Sequence, residues 1–374
     1  MIDDILRNNI INSLNHQGFL VNGHVEPMEF NKETFRSIHQ FSKDEQLGLQ
    51  KKFIKSAFPV ISKYLRNGSD INPAEIKLEL REIIPGSLEH TIYRWWNLIW
   101  WSIPYQRAYG RQMRFLLWDK THDSPFGILG LQSPVLKMAV RDNHLKIPLK
   151  DLDYWVNKSM QAQRVGALPP YNSLLGGKMT AMALASDEVR HLYGVKYQNV
   201  ETRLEKRIID SDLLFITTTS AFGRSSIYNR LKFDNTFVAK SIGFTKGSGT
   251  FHINESIYGQ IKEYLKSKGV NTNTTFGNGP SRKIKLLDTA FSLLKLPDYQ
   301  YHNIQREYFL FPLASNLDNV IHESAKPIFA SRPLDGLVDF WKERWCKPRA
   351  ARCPDWKEFS ANNFLDKYRE FDNE

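Results

Sequence analysis

Apolar residues recur at three- and four-residue spacing early in the chain: Phe53, Ile54, Ala57, Phe58, Ile61, Tyr64 and Leu65 share one face of a helical wheel. Asn67-Gly68-Ser69 breaks that run, and Asn72-Pro73 restarts a helix in cap-then-first-turn order. The stretch to about Pro85 therefore reads as helical. From Arg111 the period changes. Met113–Asp119 and Phe126–Leu136 are short apolar runs around the polar turn Lys120–Pro125, which predicts two antiparallel strands. A polar segment, Leu152–Val165, predicts a helix. Pro169-Pro170 breaks it, and Gly176-Gly177 opens a further helix to about Arg190. Asp212–Ser220 predicts a strand, Ser225–Leu231 a short helix, Ala239–Phe244 with Thr250–Ile253 a hairpin-like pair, and Glu255–Lys268 a helix. The turn-rich loop 270–281 precedes helical spacing at Arg282–Leu294, and Glu307–Pro312 predicts a last strand.

Composition sets the outer limits. With 374 residues, 41% hydrophobic and 13% aromatic, the chain can bury a full core as one large domain or two ordinary ones. The formal charge of +11 favours polyanionic partners such as nucleic acid. Cys346 and Cys353 stand without a second Cys/His pair, so no metal site is expected and the pair reads as reduced thiols. The N-terminus is acidic and amphipathic, unlike a secretory signal. The apolar segment from Ile92 to Pro104 is too short, and too interrupted by Arg94 and Asn97, to span a bilayer. A cytoplasmic protein without membrane contact is the expectation.

The densest chemistry lies between Leu168 and Lys232. There a Gly-Gly-Lys turn opens a helix, and a β-branched strand ends at Gly223-Arg224-Ser225-Ser226. With GRQMRFLLWDKTHDSPFGILGLQSPVL upstream and SIGFTKGSGTFHI downstream, these blocks resemble the Druantia anti-phage system protein A (DruA) family, a bacterial domain of unknown function, from about Trp95 to about Val320. The resemblance implies a role in antiviral defence beside a large helicase-like protein and other Druantia subunits. It implies no particular chemistry.

The same succession of strands, Gly-rich turn, helix and strand, ending at Tyr228-Asn229-Arg230-Leu231-Lys232-Phe233, is similar to the GCN5-related acyltransferase fold. In that family a Gln/Arg-x-x-Gly-x-Gly/Ala loop presents backbone N–H groups to the coenzyme A pyrophosphate. Here the loop reads Ser173-Leu174-Leu175-Gly176-Gly177-Lys178, which keeps the first glycine and departs elsewhere. Gly176, Gly177, Lys178 and Asn229 are thus the candidate residues for coenzyme A or acyl-coenzyme A. Tight turning and close helix packing explain the two glycines equally well.

Candidate holders of a general anion or of nucleic acid are Lys178, Arg224, Ser225, Ser226, Arg230 and Lys246 at the strand-to-helix turns. Capping would also explain Ser225 or Ser226, and a solvated hairpin turn would explain Lys246. If one anion bridges two turns, Lys178 and Arg224 are its expected holders. Arg282, Lys283 and Lys285, and Arg349 and Arg352 beside Trp341 and Trp345, combine cations with rings as single-strand grooves do. Tryptophans four apart on a helix also suit a core. Asp119, Asp187 and Glu75 form no carboxylate cluster for a metal nuclease, and His122, His191 and His252 fit no triad. Catalytic residues stay unassigned.

The expected architecture is an N-terminal helical module (1–105), an acyltransferase-like α/β (α+β) domain with a mixed sheet (106–325) and a basic, aromatic helical extension (326–374). The expected function is a nucleic-acid- or partner-binding component of a defence system. An active acyl-coenzyme A-dependent transferase and a pure scaffold are the alternatives.

Overall fold

The computed structural model describes residues 2–100, 110–202, 205–273 and 282–369. Seven strands form the central sheet: β1 (Leu78–Glu82), β2 (Gln112–Asp119), β3 (Ser124–Gln132), β4 (Ser159–Ala167), β5 (Phe215–Thr219), β6 (Lys240–Phe244) and β7 (Glu307–Pro312). Their spatial order is β1-β2-β3-β4-β5-β7-β6. Every neighbouring pair is antiparallel except β4 and β5, which run parallel. Parallel neighbours need a crossover, and α5 (Gly176–Ala183) and α6 (Asp187–Tyr197) supply it. The fold is a mixed α/β architecture.

Strand periodicity sorts the core onto the two faces of the sheet. Phe115, Leu117, Leu129 and Leu131 pack with α5 and Trp341 of α9 (Leu334–Trp341). Leu116, Trp118 and Ile128 point the other way, against α3 (Lys51–Tyr64), α4 (Leu88–Ile99) and α10 (Ala361–Arg369). Trp95 and Trp96 of α4 join helix to sheet, edge to face at 5.0 Å, with Phe364 stacked on Trp96 at 5.6 Å. Trp101, the domain boundary at 105/106 and the loop at 274–281 lie outside the described residues. A separate helical cluster joins α1 (Ile2–Gln17) and α2 (Lys32–Leu49) to α7 (Glu255–Ser267) and α8 (Arg282–Leu293) through Ile10, Ile38, Ile261 and Leu287.

Several expected elements differ. The first stretch is not all helix: Phe19–Asn22 and His24–Pro27 form a hairpin, and β1 joins the sheet edge. Leu152–Val165 divides into a short helix, Leu152–Asn157, and β4. The strand escapes a polarity reading because Gln161, Gln163 and Arg164 interrupt its apolar positions while both its edges are at least partly paired. Thr250–Ile253 is not a strand, since β6 pairs with β7 instead. Ser225–Leu231 is turn rather than helix; Ser225 Oγ accepts the Ile227 N–H at 3.3 Å. The helix opened at Gly176 is two, and Ser186 caps the second by accepting from Val189 N at 3.3 Å.

Candidate functional site

The pairing of β4 with β5 runs from Ser159–Phe215 to Ala162–Thr218 and stops there. β4 continues to Ala167 against β3 alone, after a register shift opposite Gly130 and Leu131 that leaves Gln163 as the extra residue of a bulge. The two parallel strands thus part, and among the described residues the β4 edge from Gln163 to Ala167 has no strand beside it. A cleft of about 750 Å³ fills the gap. It is lined from both faces of the sheet: by Leu175, Gly177, Lys178 and the turn Ser225–Tyr228 on one side, and by Lys43, Trp100 and Tyr368 on the other. Trp100 Nε1 donates to the Ala167 carbonyl at 2.9 Å, closing one end of the free edge.

The charge of the lining is one-sided. Lys43, Arg164, Lys178 and Arg306 contribute four cations, and no described lining residue is Asp or Glu. A cleft with one sign of charge and low-dielectric walls concentrates counter-ions. Amides of Gln161, Gln163 and Asn172 and hydroxyls of Thr218, Ser225 and Tyr228 add neutral polar groups. Burial pushes the Tyr228 phenol up to about 12, so it stays protonated, with a smaller opposing contribution from a hydrogen bond to Thr218.

At the α5 start, Leu175 takes a left-handed turn with φ 58°. Gly176 is fixed by packing: a Cβ there would lie 2.6 Å from the Tyr171 carbonyl oxygen and 2.8 Å from Ala167 Cβ. Gly177 faces the cleft, with Ile227 at 3.4 Å from the place of a Cβ. Lys178 Nζ donates to the carbonyls of Ser226 at 3.0 Å, Ile227 at 3.4 Å and Asn229 at 3.1 Å. Its ammonium lies 5.3 Å from the Trp345 ring, and burial lowers its pKa. Lys178 therefore ties the α5 start to the turn after β5. Arg224, the expected second holder of a bridging anion, is exposed and outside the lining.

On the β5 side stands Arg306, immediately before β7. Its Nη2 donates to His39 Nε2 at 2.8 Å, and its guanidinium carbon is 5.9 Å from the Phe251 ring. Burial lowers the Arg306 pKa to about 10, and no neighbouring carboxylate opposes that shift. Burial also holds His39 well below the usual imidazole range, with Arg306 and then His302 adding repulsion. His302 is pushed down to about 4 and His252 to about 3, burial being the larger cause in each.

The remaining expected residues divide between the cleft and its surroundings. Ser225 and Ser226 line it, whereas Arg230 and Lys246 are exposed outside it. Lys283 is a brace, donating to the Ile253 carbonyl at 2.9 Å beside Glu255. Arg282 reaches Asn273 at 3.2 Å, and Lys285 is exposed. Arg349 donates to the Ser173 carbonyl and Arg352 to the Pro348 carbonyl, each at 3.2 Å. Trp341 is fully buried and donates to the Leu175 carbonyl, so its ring cannot stack on a base. His122 is locked rather than reactive: Nδ1 donates to Asp119 Oδ2 at 2.6 Å and Nε2 accepts the Asn72 N–H at 2.9 Å. Among the described residues no group of three His, Cys, Asp or Glu is placed to hold a metal, and no helix is long and apolar enough to cross a membrane.

Lys43, Arg164 and Arg306 were not singled out in the sequence. Arg306 carries the one available signal, a cation placed directly before a recognisable strand.

Comparison with known proteins fits the resemblance and extends it. The family model described as Druantia protein DruA matches residues 29–323, beginning well upstream of Trp95. A curated relative, Druantia protein DruA of Escherichia coli (strain UMEA 4076-1), is 32% identical over 340 residues, covering 90% of this chain and 84% of the relative. No solved structure matches. With a family match across the whole of the sheet and a relative aligned along nine-tenths of its length, the chain belongs to the Druantia protein DruA family.

Proposed function

We propose that this chain is a component of a Druantia anti-phage defence system, acting in the cytoplasm beside other Druantia subunits that include a helicase-like protein, and that its cleft binds a phosphate-bearing ligand of the coenzyme A class. Membership of the family supports the defence role. The observation that carries the ligand is the β4 edge, Gln163–Ala167, which no described strand pairs and which faces a cationic cleft whose described lining holds no carboxylate. An unpaired strand edge offers backbone N–H and C=O groups to an amide-bearing chain. The α5 start beside it offers backbone donors to phosphate. The strand order, with one parallel pair at the parting, supports an acyltransferase-like sheet.

Gly177 and the α5 amides would hold the phosphates, with Ser225 and Ser226 across the gap. Lys178 would act mainly by holding that wall in place, and its charge adds to the field. Such a ligand, when bound, supplies an activated acyl thioester. Tyr228, protonated and on the lining, is suited to give a proton to a thiolate leaving group.

Calorimetric titration of coenzyme A and acetyl-coenzyme A into the full chain tests this reading. Binding that weakens at least tenfold in Gly177→Asp, which adds a carboxylate at the α5 start, is the expected result. Absence of heat with millimolar ligand would remove the coenzyme from the account.

A second reading, nucleic-acid binding outside the cleft, draws on one observation. Arg224, Arg230, Lys246, Lys285 and Arg352 show no ion-pair partner among the described residues, and the chain carries +11. Affinity for DNA that falls steeply with salt, and less steeply after Arg224→Ala, would support it.

A further inference from the structure

Arg306 differs from Arg141, Arg111 and Arg332 in how its charge is met. Arg141 is fully buried but pairs with Asp142 and donates to the Val135 and Leu136 carbonyls. Arg111 donates to the carbonyls of Val156, Asn157 and Ser159. Arg332 donates to the Pro312 carbonyl and has Asp187 nearby. Arg306 is half-buried and has, among the described residues, one side-chain acceptor, the imidazole of His39. An imidazole that accepts at Nε2 is neutral, so it orients the guanidinium without cancelling its charge.

The surroundings explain what would match it. Lys43 sits one helical turn beyond His39 on α2, lines the same cleft and has no ion-pair partner among the described residues. Asp44, its neighbour, is exposed and accepts from Gln40 at 2.6 Å. Gln161 lines the cleft where β4 and β5 are still paired, and its buried Oε1 has no donor. Arg306 thus has part of its donor fork committed to His39 and the remainder, among the described residues, without a side-chain acceptor at the cleft wall. A planar fork of that kind matches carboxylate and phosphate oxygens two at a time.

We propose that Arg306 and Lys43 form an oxyanion-recognition point on the α2 side of the cleft, which takes the carboxylate or phosphate group of a second, acidic substrate. Gln161 Oε1 accepts an N–H or O–H from the same molecule. The proposal deepens the coenzyme reading by giving the acceptor its chemistry and its side of entry, the face of the sheet opposite Lys178. It does not require the coenzyme to be present.

The test uses the full chain without coenzyme at low ionic strength. Succinate and inorganic phosphate are titrated separately, with binding read by calorimetry and by the shift in thermal midpoint, and the two arms distinguish carboxylate from phosphate as the preferred group. The expected result is binding of at least one anion by the wild-type chain, weakened at least tenfold in Arg306→Gln and several-fold in Lys43→Gln, and unchanged in Arg224→Gln. Lys43→Gln keeps the test open should Arg306→Gln alter folding. No binding of either anion, or equal binding by wild type, Arg306→Gln and Lys43→Gln, would overturn the proposal. Because coenzyme A affinity is measured separately with Gly177→Asp, either idea can fail alone.

Discussion

Arg306 Nη2 and His39 Nε2 lie 2.8 Å apart, joining the last strand of the sheet to the second helix of the chain across 267 positions of sequence. Burial is the larger influence on both groups, and the contact adds repulsion that keeps His39 neutral. The imidazole is neutral and accepts, while the guanidinium donates and stays positive. The contact also fixes Arg306, which lines the cleft, to the helix that carries Lys43.

Three buried imidazoles, His39, His252 and His302, make stability depend on pH. Each has a folded-state pKa below the ordinary 6.5, with His252 near 3 and His302 near 4. As pH falls below 6.5 the unfolded chain takes up protons that the folded chain refuses, so the unfolded state gains. The contribution is complete above about pH 7 and is lost from 6.5 down to about 3, at roughly 1.4 kcal/mol per pH unit for each fully refused proton. Thermal midpoints should be nearly level from pH 8 to 7 and fall steeply by pH 5. A flat profile from 7 to 5 would show that these rings are not buried neutral.

The adjacent glycines of the α5 start should respond in opposite ways. Gly176→Ala places a methyl 2.6 Å from the Tyr171 carbonyl oxygen and should destabilise by about 1–3 kcal/mol. Gly177→Ala meets only Ile227 at 3.4 Å and gains helix propensity, so it should be neutral or stabilising by up to about 1 kcal/mol. Urea unfolding of the two variants decides the matter.

Lys178→Met should loosen the turn 226–229 by removing donors from three carbonyls. A loss of about 1.5–3 kcal/mol is expected, with faster amide exchange confined to that turn and the α5 start. Loss of ligand binding with no change in exchange would instead make Lys178 a direct phosphate holder.

Asp119→Asn should cost about 2–4 kcal/mol, because the buried carboxylate accepts from His122 Nδ1, from the Tyr171 hydroxyl at 2.9 Å and from the Thr121 N–H at 3.1 Å. Circular dichroism at neutral pH should still show the folded state, with a lower melting midpoint.

How much of this was legible depended on how local the signal was. The β2–β3 hairpin announced itself through two apolar runs and a polar turn, and β5 and β7 through β-branched and aromatic runs. The helix opened by Gly176-Gly177 was legible too. β4 was not, because a strand whose far end borders a polar cleft carries the glutamines and arginine that the cleft needs. That is the strand on which the site depends. Lys178 stood out in the sequence and lines the cleft, but its acceptors come from a turn about fifty positions later. Arg306 and Lys43 reach the cleft through tertiary contact alone, and no period in either segment could place them together.

Hydrogen–deuterium exchange of the full chain, with and without saturating acetyl-coenzyme A, tests the central claim most directly. The account predicts slower exchange at Gln163–Ala167 and at Gly177–Lys178 on ligand addition, with the outer β1–β2 pair unchanged. Unaltered exchange along the β4 edge under saturating ligand would contradict it.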